Sequence, residues 1–196
     1  MAAFFVPLWL TYTGMMLTHL MINAGLARTP YPELAIAAYS IGVSVVLLFE
    51  SPALVMLPAS IAMARGEREF RVLVRIAYLV LGSVTLLMTG LAFTPLGRWL
   101  FANVMGVSTH LLEPSLAVLQ VGVLVPMLSG MRQLYNGVII HRRETIVLTV
   151  AIFLRLLVIL TVIVVLLRTG WAPGGTLGIV AFISGIATEF TVAVFW

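Results

Sequence analysis

Apolar residues run along this chain in long blocks, and the polar positions between them are few and clustered. Six blocks, residues 4–26, 34–63, 70–93, 114–140, 145–167 and 176–196, reach the roughly 20 apolar residues that a bilayer-crossing helix needs. Between them stand 28–32, 65–69, 94–98, 141–144 and 170–175, short segments rich in Pro, Gly, Arg and Glu that break helices or seek water. The pattern predicts an all-α polytopic membrane protein, a single six-helix transmembrane bundle spanning 1–196.

Two blocks depart from a plain span. Residues 34–63 would extend about 45 Å at about 1.5 Å per residue, beyond a hydrocarbon core of about 30 Å. Pro52 and Pro58 lie in its second half, where each removes a backbone donor. A bent second helix is expected, its end projecting into the cytoplasm. Pro126 predicts a kink in the fourth. Segment 96–107 mixes Arg98 and Asn103 with Trp99, Leu100 and Phe101 and reads as an interfacial stretch. The first block could be a signal peptide, but its leader Met1-Ala2-Ala3 has no positive charge and its apolar run exceeds the usual 7–15 or so residues. A retained helix is expected.

Composition strengthens the membrane reading. Of the 196 residues, 62% are hydrophobic; the charged ones are 11 Arg and 7 Glu, with no Lys, Asp or Cys. That excludes disulfides, thiolate metal sites, a P-loop lysine and a Schiff base. The net charge of +4 is scattered, with no basic stripe for nucleic acid. Arginine in short loops sets orientation. Arg65, Arg68, Arg71, Arg75, Arg142 and Arg143 flank the even loops, against Arg28, Arg98 and Arg168 at the odd ones. Both termini are expected in the cytoplasm, and the location is expected to be the bacterial inner (plasma) membrane.

Charged groups near a bilayer centre cost about 2.5–3.5 kcal/mol on insertion scales, so those inside the spans carry information. They are Glu50, Arg132, Arg155 and Glu189. Counting about 1.5 Å per residue from the helix starts places Arg155 and Glu189 at similar depth. Glu50 falls nearer the cytoplasm, and Arg132 nearer still. Arg155 and Glu189 form the expected pair. Glu50 either reaches an interface or loop Arg, or carries a proton. In the first span Tyr12, Met16, His19 and Asn23 share one helical face; Thr11 and Thr18 lie beside it. Such a stripe implies protein or a water-filled cavity opposite, because lipid offers no hydrogen bonds. It is either a substrate or ion path, or a set of interhelical bonds. Gln120, Ser129, Gln133 and Asn136 of the fourth span could line a cavity or bond neighbours. Gly178, Ala181, Gly185 and Thr188 of the sixth permit close packing.

Several short motifs then occur in a familiar order. Pro7-Leu8-Trp9-Leu10 opens the first span and Glu33-Leu34-Ala35-Ile36-Ala37-Ala38-Tyr39 the second. Ala64-Arg65-Gly66-Glu67-Arg68 follows, and Gly174-Gly175-Thr176-Leu177-Gly178 enters the sixth. With these, the chain resembles one six-helix half of the MOP flippase superfamily, which includes MATE multidrug exporters and lipid-linked oligosaccharide flippases. Within it, the run from Met105-Gly106-Val107 to Glu113, the ending Gly137-Val138-Ile139-Ile140-His141-Arg142-Arg143 and the Arg155-bearing helix look like the progressive-ankylosis transporter group. The resemblance covers nearly the whole chain. It implies a secondary transporter working by alternating access between two six-helix halves. A second half would come from further sequence, the preferred expectation, or from a second copy in a homodimer. MATE members often carry an acid in the first helix for ion coupling. Here His19 and Asn23 stand on that face instead, which leaves Glu50 and Glu189 as the available carboxylates for H+ or Na+.

The leading expectation is therefore half of a transporter or flippase exporting an amphipathic or anionic solute. Its partners would be the bilayer, a small-molecule or lipid-linked substrate and the second half. The candidate path residues are Tyr12, His19, Asn23, Glu50, Gln120, Arg132, Arg155 and Glu189. A structural membrane subunit is the alternative. An intramembrane enzyme ranks last: the sequence has no metal-ligand cluster among His19, His110 and His141, and Ser129-Gly130 and Ser184-Gly185 lack a base. No cofactor, metal or nucleic-acid partner is expected.

Overall fold

The computed structural model describes the backbone of residues 2–63, 66–171 and 174–196, and within them side chains from Trp9 onward. Arg65 of the orientation argument, parts of the motifs at 7–8 and 64–65, and residues 172–173 of the 170–175 segment lie outside the described residues or side chains. Among the described residues the chain is all-helical, without a strand.

The first helix, α1, covers Ala2–Leu26. The second block divides into α2, Pro32–Leu54, and α3, Met56–Met63. The third block is α4, Glu67–Phe93. The interfacial stretch becomes a short helix α5, Pro95–Trp99, running into one turn of π-helical winding at Leu100–Val104. The fourth block divides into α6, Thr109–Gly122, and α7, Val125–His141. The last two are α8, Thr145–Thr169, and α9, Gly175–Phe195.

Local chemistry accounts for these limits. Pro32 opens α2, where its missing N–H is harmless, and Glu33 follows in the first turn. Glu67 and Glu69 occupy the first turn of α4. Gly170 closes α8 in the left-handed conformation (φ 65°), its N–H bonding the Leu166 carbonyl. Pro52 cannot donate to the carbonyl four residues back, at Leu48. The Ser51 hydroxyl donates to that oxygen instead, at 2.7 Å, so the freed carbonyl is not left bare.

Five helical stretches among the described residues are long and apolar enough to cross a membrane: α2 with α3, α4, α6 with α7, α8 and α9. Exposed apolar side chains cover their outer faces, including Leu79, Leu86 and Leu87 of α4 and Phe153, Leu157 and Leu160 of α8. A water-soluble fold does not present such a belt; an integral membrane protein does. The described part of α1 is not among the five. It packs along α8 in parallel: Gly14 meets Ile152, and Gly25 meets Ile163.

The expected bend of the second helix falls at Val55, between α2 and α3. Its broken-off end, α3, lies on α7, where the Ser60 hydroxyl donates to the Leu134 carbonyl at 2.6 Å. A buried carbonyl next to a hydroxyl, and Gly137 facing Ser60, hold the segment in the bundle. Gly178 and Gly185 of α9 serve close packing, against the Tyr39 ring and against Ile159.

The apolar core is divided. The larger cluster gathers Tyr39 and Val46 of α2, Leu119 of α6, Ile159 of α8 and Ile186 of α9. A second gathers Ala53, Met56, Leu73, Leu81 and Leu134. A third joins Ile139, Val147, Leu148 and Ala193. Along α2, α8 and α9 the change from the first cluster to the others falls around Glu50, Arg155 and Glu189.

Away from this division, Arg98 and Glu113 pair at 2.8 Å with both side chains well exposed. An exposed pair contributes little. Arg98→Gln is expected to shift stability by less than about 1 kcal/mol, measured as the midpoint of thermal unfolding in detergent.

Candidate functional site: a buried charge network

Each network residue is positioned by helical spacing. Ser129, Arg132 and Asn136 stand on one face of α7, three and seven residues apart. Phe182, Gly185 and Glu189 repeat that spacing on α9. Glu50 comes from α2, five residues before the break at Val55. Arg155 is the one charged residue in the interior of α8, with Arg168 in its last turn. All four charged groups are buried, Glu189 at 1% exposure and Arg155 at 3%.

Glu189 is the hub. Arg132 Nη1 donates to both its carboxylate oxygens at 2.9 Å. Arg155 Nη1 donates to Oε2 at 2.8 Å, and Asn136 Nδ2 to Oε1 at 3.3 Å. Two cations thus share one carboxylate. The second carboxylate enters through a hydroxyl: Ser129 donates to Glu50 Oε1 and accepts from Arg132 Nη2 at 3.5 Å. Fully ionised, the two arginines and two glutamates sum to zero. The bonding is incomplete on the cationic side. Arg132 Nε and Arg155 Nε have no hydrogen-bond partner, nor does the Asn136 carbonyl oxygen. Unpaired buried polar groups are expensive, so the two Nε groups are donors with spare capacity and the Asn136 oxygen a spare acceptor, rather than saturated structural bonds.

The network reaches toward α1 through an aromatic ring. The Arg155 guanidinium lies over Phe182, 5.6 Å from its centroid, a cation–π distance. His19 approaches the same ring at 5.8 Å. His19 is exposed, as are Tyr12, Met16 and Asn23. The stripe therefore forms an outer face of this bundle, and its polar groups face away from the chain's own core.

Several expectations change. Arg155 and Glu189 do pair, but Arg132 joins them on the same carboxylate. The depth count put Arg132 too far down because it assumed a straight helix; the fourth span is broken at Val123–Leu124, just before Pro126. Glu50 meets neither an interface nor a loop arginine; its partner is Ser129. Gln120 stands apart from the network and donates to the Ala92 carbonyl at 3.2 Å. Gln133 is buried without joining it. Phe182 was not singled out by sequence. Its signal was the spacing to Glu189 on a helix face otherwise built from small and apolar residues.

Several clefts lie away from the network. One of about 440 Å³ at the α7–α8 turn is lined by Glu67, Tyr135, Glu144 and Trp196, with the Trp196 indole donating to Glu144 at 2.7 Å. Among the described residues no group of three potential metal ligands comes together. No protein-family model matches the chain, and no curated protein or solved structure matches it.

Proposed function

We propose that the chain is one six-helix half of a secondary transporter or flippase of the MOP superfamily type, moving an anionic or amphipathic solute by alternating access. In this reading α1 also spans the membrane and makes six spans in all, both termini are cytoplasmic and the membrane is a bacterial inner membrane. One observation carries the reading: two buried arginines with unspent donors sit within the bundle, linked by Phe182 to an exposed polar face on α1. Lipid cannot satisfy His19, Asn23 or Tyr12. A second six-helix half against that face would, and would enclose a path beside Arg155. Buried ionisable residues in membrane proteins commonly mark such paths.

The test is flux in proteoliposomes holding the chain with its second half, or the chain alone if two copies suffice. A panel of radiolabelled anions and amphipathic solutes should include at least one moved faster than in protein-free vesicles. Arg155→Gln removes a charged donor worth about 1.5–3 kcal/mol and should slow that solute roughly tenfold or more. Background flux for every solute would refute the reading.

A further inference from the structure

We infer that the network binds an anion together with a proton, the proton residing on Glu50. The inference rests on the transporter reading and adds its coupling. The starting point is the charge balance. Glu189 is held by three donors from two helices, whereas Glu50 is held by one serine hydroxyl. Glu50 is thus the carboxylate with the fewer hydrogen-bond donors. A proton from the aqueous phase converts its carboxylate to the neutral acid, and the four-group cluster then carries one net positive charge. A monovalent anion restores neutrality. The Nε donors of Arg132 and Arg155, both buried and without acceptors, supply hydrogen bonds for it. Anion and proton enter as a neutral pair, the arrangement that least burdens a low-dielectric interior.

The surroundings of Glu50 leave few rivals for the proton. From α7 it meets Ser129, with Arg132 on the same hydroxyl; from α8 Arg155 lies within electrostatic range, and Glu189 of α9 joins through the two arginines. From α1, His19 lies within electrostatic range of both Glu50 and Arg155. The α3 helix has no ionisable residue, and those of α4 and α6 are exposed. Ser129 sits between Glu50 and Arg132, so the carboxyl charge is felt at the arginine through one oxygen.

The test uses the purified full chain in detergent and naphthalene-2-sulfonate, whose charge is independent of pH. Calorimetric titrations in two buffers of different ionisation enthalpy give protons bound per anion. Expected for the wild type is uptake of about one proton, with affinity falling about tenfold per pH unit toward alkaline pH. Glu50→Gln should bind at the affinity the wild type shows in acid, with a flat pH profile and no proton uptake. Wild-type binding without proton uptake would overturn the coupling and leave the anion site standing; no variant is needed for that arm. Proton uptake retained in Glu50→Gln would move the proton to His19 and also overturn it. No sulfonate binding by either folded protein, at any pH, would remove the anion reading itself and the coupling with it.

Discussion

Replacing Glu189 by Gln should be the most damaging single change in the molecule. The side chain keeps its shape, but two buried guanidiniums lose the carboxylate that both of them bind. Removing one partner of a buried ionic group typically costs about 3–5 kcal/mol, because the remaining charge stays uncompensated. Here two cations remain against Glu50 alone. The measurement is the yield of monodisperse protein and its unfolding midpoint in detergent. Charge balance also predicts a rescue. In Glu189→Gln with Arg155→Gln, Arg132 and Glu50 remain as one cation and one anion, and about half or more of the loss should return, a non-additivity that contacting residues permit. A double variant as unstable as the sum of both singles would show that geometry, not charge, sets the cost.

The second large effect lies far from any charge. A Cβ at Gly42 would stand 2.6 Å from Val118 Cβ and 2.8 Å from the Ser115 carbonyl oxygen. Neither atom is the end of a flexible side chain, so Gly42→Ala must push α6 off α2. Overpacking of this kind costs about 1–3 kcal/mol, occasionally more. Gly82 is the matched control, since a Cβ there meets nothing within 4 Å. Gly82→Ala should be neutral or slightly stabilising, because Ala restricts the unfolded chain more than Gly does. Unfolding midpoints of the two variants should therefore move apart; equal midpoints would mean that α2 and α6 are not in close contact.

These two sites also mark what could be read from the residues in order. Helix positions were legible because bilayer-length apolar blocks leave few alternatives: the block at 145–167 became Thr145–Thr169, and that at 176–196 became Gly175–Phe195. Prolines announced the bends but not their places, which fell at Val55 and at Val123–Leu124. Charged residues within spans were conspicuous, since burial makes each expensive. Their partners were harder. Depth counting ignores tilt and breaks, so Arg132 was misplaced against Glu189. Ser129 was visible as a polar residue that could bond a neighbour, but not as the partner of Glu50. Gly42 offers no sequence signal at all, because the atoms that forbid a larger residue come from α6, more than seventy positions away.

The division of the apolar core has a mechanical meaning. Close-packed hydrocarbon resists deformation from every side and passes strain on in all directions. A hydrogen-bonded layer passes it on only along its donor–acceptor lines. At the level where the clusters of this bundle change over, those lines converge on Glu189, drawn from α7 and α8 onto α9. Unbroken helices such as α8 and α9 carry load straight through this level, while sideways load between α7, α8 and α9 passes there through a single carboxylate.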